Sequence, residues 1–134
     1  MGPVWDFDLA LGNFSRDIQD YSAWASFNMD DDYVGETWTY HLFKDPAFQA
    51  RFKERWNEVR DTLLETAMTA IDEEYQRILP SAEENFRVWD ILGRKVAFER
   101  KDTTKYLTYD SQITYLKTFL KDRAAWIDEQ IRDW

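Results

Sequence analysis

The sequence predicts a mainly α chain, with an extended N-terminal segment and roughly four or five helices around one aromatic core. Three observations lead there. Only 4 Gly and 3 Pro punctuate 134 residues, too few for many short strands joined by tight turns. Apolar residues recur at helical spacing through the middle and the end of the chain. The 7 Trp, 7 Tyr and 9 Phe supply core material that a disordered chain lacks, and 134 residues suffice to bury it as one domain.

Residues 1–14 read as extended or looped. The stretch from Phe14 to Gly35 is polar, with Asp30-Asp31-Asp32 at its centre. These adjacent acids lack the alternating ligands, glycine and distant glutamate of a calcium loop, so they read as a solvated acidic loop. A short helix is predicted over Thr37 to Phe43. Asp45-Pro46 then supplies an N-cap followed by proline at the first helical position, where its missing N–H costs nothing. Phe48, Phe52, Trp56, Val59 and Leu63 follow at spacings of four, four, three and four, one apolar stripe of a helix. After a break expected near Glu65-Thr66, Ala67, Ile71, Tyr75 and Ile78 carry a second helix to Pro80. A third, opened by Ser81, fits 81–89. Residues 93–107 are mixed and basic and read as a loop, with a short strand at Val96–Phe98. The last helix starts after Thr108, with Ile113, Leu116, Leu120, Ala124, Ile127 and Ile131 inward and Phe119 and Trp126 alongside. No repeat, low-complexity tract or linker divides residues 1–134, which read as a single domain.

Charge and composition exclude several functions. A net charge of −9 repels nucleic acid and anionic lipid, so neither nucleic acid nor membrane is expected as a partner. No apolar run has the length of a membrane span, and no signal peptide is visible. Met1-Gly2 running at once into core-like sequence reads as a chain cut from a longer one, with any targeting segment outside it. The absence of cysteine removes thiolate metal sites and thiol nucleophiles. Glycines at 2, 12, 35 and 93 make no phosphate-cradling loop. The single histidine, His41, reads as a packed or surface residue, and no serine is marked out as a nucleophile. Arg51, Arg55 and Arg60 interleave with Glu54, Glu58 and Asp61 as a salt-bridged outer face. Trp56, Trp89 and Trp126 stand at core-like positions, leaving Trp24, Trp38 and Trp134 as surface candidates for sugar stacking.

The most pointed chemistry lies in Trp5-Asp6-Phe7-Asp8-Leu9. In an extended segment Val4, Asp6 and Asp8 share one face, and Trp5, Phe7 and Leu9 the other. The apolar side anchors while the two acids project together as hard oxygen ligands suited to Mg²⁺. The same spacing also fits an acidic loop hung on a few aromatics.

Four ordered runs carry a resemblance. They are Gly2-Pro3-Val4-Trp5-Asp6-Phe7-Asp8-Leu9-Ala10-Leu11-Gly12-Asn13; Leu42 to Phe48 with Arg55 to Arg60; Ala82 to Gly93; and Ile113 to Arg123 with Trp126-Ile127-Asp128. Together they resemble the spore-coat protein H (CotH) kinase family over most of the chain, with 94–107 matching poorly. Ser111 departs from the acid usual there, which is expected to weaken the cap on Thr108 slightly. The resemblance implies an atypical protein kinase that transfers the γ-phosphoryl of ATP to serines of spore-coat or secreted proteins, located in the spore coat or outside a bacterial cell. It makes the chain the helical C-lobe fragment of an atypical kinase-like fold. Asp6 would hold Mg²⁺ (or Mn²⁺) against the ATP phosphates, and Asp8 would bind the metal or shape the loop.

In that family the lysine-bearing lobe and the catalytic-loop aspartate precede the Asp-Phe-Asp segment. The fragment alone is therefore expected to contain no catalytic residue, to be inactive, and to bind ATP negligibly and Mg²⁺ weakly. Trp5, Phe7 and Leu9 would expose apolar surface, which predicts a dimer or strand exchange through residues 1–14. Two other classes compete: a non-catalytic interaction module of a spore coat or secreted multi-domain protein, and a sugar-binding or glycosyl-transfer domain, since such Asp pairs also hold metal-bound nucleotide sugars. Poor sugar platforms and the helical content argue against the last.

Overall fold

Capping at two points sets the architecture. In the computed structural model, which describes residues 11–12, 21–22, 24, 38–96 and 104–134, three helices follow one another. They are α1 (Trp38–Leu42), α2 (Pro46–Val88) and α3 (Tyr109–Gln130). The Asp45 carboxylate accepts from the Ala47 N–H at 2.8 Å, and Pro46 occupies the first turn of α2. At the start of α3 the Ser111 N–H donates to Thr108 Oγ1 and the Thr108 N–H to Ser111 Oγ, each at 3.1 Å. This reciprocal box is complete with a serine in the acid's place, so the weakening expected of Ser111 is not seen in its hydrogen bonds. The described residues are mainly helical and include no strand. The acidic stretch Asp30–Asp32, the segment 1–10 and residues 97–98 of the expected strand lie outside them.

Several expectations are corrected. The break at Glu65-Thr66 and the separate helix from Ser81 are absent, and α2 runs unbroken through Pro80. One β-branched threonine costs a helix only about 0.5 to 0.7 kcal/mol, less than the packing of half-buried Leu64, Ala67 and Met68 around it returns. The inner stripe holds at Phe48, Phe52, Trp56, Val59, Ala67, Ile71 and Tyr75 and shifts by one residue at two places. Leu63 is 55% exposed and Leu64 half-buried, and Ile78 likewise yields to Leu79.

Helix α3 packs along α2 and carries the buried residues Phe119, Ala124 and Ile127, with Ile131 just beyond its end. Polar clips fix the pairing. Trp56 Nε1 donates to Asp128 Oδ1 at 2.7 Å, and Arg60 pairs with the other oxygen of that carboxylate at 2.8 Å. Lys117 pairs with Asp72, and the Tyr75 hydroxyl donates to Asp110. Lys53 Nζ donates to the carbonyls of Arg132 (2.5 Å) and Trp134 (3.1 Å), the backbone beyond α3. Arg60 was expected on the outer face; it turns toward α3 instead, while Arg51–Glu54 and Arg55–Glu58 stay outside. Tyr75 also stacks on Tyr109, which meets Phe86.

Pro80 sits exposed inside α2. Its ring removes one helical hydrogen bond and presses on the carbonyl four residues back. Pro80→Ala is expected to stabilise the protein by about 1 to 3 kcal/mol, read as a higher melting midpoint by circular dichroism. An unchanged midpoint would mean that α2 has relaxed around the ring.

Candidate functional site

Asp6 and Asp8 lie outside the described residues, as do Trp5, Phe7 and Leu9. What the structure places is the backbone that follows them. Gly12, four residues after Asp8, is buried against α3 with φ +83°. Its carbonyl accepts from the Tyr115 hydroxyl at 2.7 Å. A Cβ at this position would stand 2.7 Å from Phe119 Cε2 and 2.8 Å from Tyr115 Oη. Left-handed backbone and lack of room both demand glycine here. Gly12 is thus held on the face of α3 formed by Tyr115 and Phe119, one helical turn apart.

A second attachment follows. Arg123 of α3 donates to the Tyr21 carbonyl at 2.7 Å and lies over the rings of Trp24 (5.5 Å) and Trp126 (4.6 Å). Burial lowers the pKa of its guanidinium, but a group of this type stays charged at neutral pH. Trp24 meets Phe43, Phe52, Trp126 and Trp134 with ring centroids 4.9 to 6.0 Å apart. Trp24 and Trp134, expected at the surface, are instead joined in this cluster, which ties Trp24 to the turn after α1, to α2, to α3 and to Trp134. Trp89, expected in the core, is 64% exposed, because it follows the last turn of α2. Trp38 is exposed as expected, at 85%.

The remaining candidates carry no chemistry. His41 is exposed on α1, edge-on to Tyr40. Hydrogen bonding to Asp61, with Asp128 adding to it, raises the pKa of Arg60 despite partial burial. Hydrogen bonding to Asp110 raises that of Tyr75. The Asp61 contact lies within α2, while those with Asp128 and Asp110 belong to the pairing of α2 with α3. Among the described residues no three His, Asp or Glu side chains group to hold a metal ion, and no helix is long and apolar enough to cross a membrane.

The donor set at Asp6 and Asp8, two carboxylates one residue apart, fits a hard divalent cation. Sequence reasoning did not pick out Tyr115 as the residue receiving Gly12. The available signal was the pair Tyr115 and Phe119, an aromatic patch beside the inward stripe of α3. A family model described as CotH kinase protein matches residues 1–127. No curated protein and no solved structure gives a match.

Proposed function

The chain belongs to the CotH kinase family, and from that premise we propose that it carries the metal-binding Asp-Phe-Asp segment and supporting helices of an ATP-dependent protein serine kinase. Membership suggests a kinase-like spore-coat protein. The finer reading assigns Asp6 to Mg²⁺ (or Mn²⁺) at the ATP phosphates, and Asp8 to the same ion or to the shape of its loop. When bound, such an ion neutralises charge on the phosphates during phosphoryl transfer. The protein's own part is to supply the two carboxylates. The family match over residues 1–127, which includes both acids, is the observation that supports the reading most.

Phosphoryl transfer also needs a lysine on the phosphates and an aspartate orienting the hydroxyl. The family resemblance supplies neither from residues 1–134, so these residues by themselves are proposed to be inactive. The protein substrate is proposed to be a serine-bearing spore-coat or secreted protein. The test is a phosphorylation assay with ATP and Mg²⁺ or Mn²⁺ on a longer protein that includes this chain, comparing wild type with Asp6→Asn. Activity in the wild type alone supports the kinase reading, and transfer by residues 1–134 unaided would overturn their inactivity. No activity in either protein would favour a non-catalytic interaction module. Exposed Val88, Trp89, Ile91 and Leu107 at the end of α2 and before α3 favour that second reading.

A further inference from the structure

We infer that residues 131–134, which follow α3, form a latch. Trp134, gripped from α2 by Lys53, closes the aromatic corner in which Trp24 and the turn after α1 are seated. This corner opens as one unit, releasing α1, while α2 and α3 stay paired.

The latch has a root, a tip and a grip. Its root is Ile131, 2% exposed, whose N–H donates to the Ile127 carbonyl at 3.0 Å. The backbone then turns, with the Trp134 N–H on the Ile131 carbonyl at 3.2 Å. The tip is the Trp134 ring, stacked on Trp24 with centroids 5.8 Å apart and planes 18° from parallel. The same ring meets Phe43 at 5.6 Å and Phe52 at 5.7 Å, both edge-on. The grip is the Lys53 ammonium on the carbonyls of Arg132 and Trp134. It sets a positive charge where the end of a helix gathers negative partial charge, and it ties down a stretch that would otherwise fray. What the latch holds has little support of its own. Helix α1 has five residues, none of them buried, and a helix that short does not persist alone. Trp24, Phe43, Phe52, Trp126 and Trp134 are all half-buried, whereas the buried apolar residues described lie along α3 and just past its end. Local opening starts where buried contacts are few. The pairing of α2 with α3 has separate clips at Asp128, Asp72 and Asp110, none of which involves the latch.

The test is native-state hydrogen exchange of the 134-residue chain, read amide by amide by nuclear magnetic resonance. The amides of Phe43, Lys44 and Asp45 report on the corner, because they donate to the α1 carbonyls of Thr39, His41 and Leu42 at 3.0 to 3.1 Å. Amides in the middle of α3 report on the helix pair. Trp134→Ala is expected to speed exchange at 43–45 by about ten-fold or more, the loss of three ring contacts, although Trp134 lies at the other end of the chain. Lys53→Met keeps every ring and should act in the same direction by a smaller factor; it carries the test if Trp134→Ala does not fold. Phe86→Ala removes a ring from the opposite end of the helix pair, against Tyr109. It should speed exchange along α3 and leave 43–45 at the wild-type rate. Wild-type exchange at 43–45 in both latch variants would overturn the inference. So would equal acceleration of the corner and of α3 by Phe86→Ala, since the corner would then open only when the whole protein unfolds.

Discussion

Asp6→Asn is expected to lower phosphoryl transfer by about 10³-fold or more in a protein that contains this chain together with the upstream kinase groups, about 4 kcal/mol of transition-state stabilisation. Asparagine keeps the shape of the side chain and one carbonyl oxygen but removes the negative charge. A divalent ion beside polyphosphate depends on that charge to stay in place while the γ-phosphoryl transfers. The folding of the helical body should not notice. The described contacts of Gly12, Tyr21 and Trp24 with α3 do not depend on the charge removed. The informative result is therefore a split: activity lost in a radiolabel assay, melting midpoint within a degree or so of wild type. Asp8→Asn separates the two carboxylates. A comparable loss makes Asp8 a ligand, and a small one makes it a loop residue.

The largest effect on stability is expected at Phe119. Its side chain is buried in α3, and its ring closes over Gly12. Phe119→Ala removes the transfer free energy of the ring and leaves a cavity between α3 and Gly12, at a cost of about 3 to 4 kcal/mol. At this chain length that corresponds to roughly 10 to 15 °C in melting midpoint. Leu63→Ala is the companion experiment. By spacing alone Leu63 belongs to the inner stripe of α2 and its loss would rival that of Phe119. At 55% exposure it should cost below about 0.5 kcal/mol. Comparable losses at both positions, by thermal or urea unfolding, would contradict the packing described here.

The contrast between those two residues shows where reading the sequence stops. The starts of α2 and α3 were legible because each depends on side chains within three residues of the backbone they cap: Asp45 with Ala47, Thr108 with Ser111. The inward face of α3 was legible too, since a helix that packs along its whole length repeats its pattern. The unbroken α2 was not. Whether a weak helix former or a proline ends a helix depends on how much packing surrounds it, and that comes from another element. Trp24 and Trp89 exchanged their expected places for the same reason. One meets residues far away in sequence, and the other lies just past the last turn of α2, where the described structure leaves it exposed.

The sequence by itself determined the helical class, the caps that start α2 and α3, the family and the two carboxylates, because each is local chemistry or an ordered match of residues. Only the tertiary structure decided that Arg60 turns toward Asp128, that Leu64 rather than Leu63 faces inward, and that Tyr115 holds Gly12. Those outcomes depend on which surfaces meet across residues separated by about half the chain or more, and no local propensity carries that information.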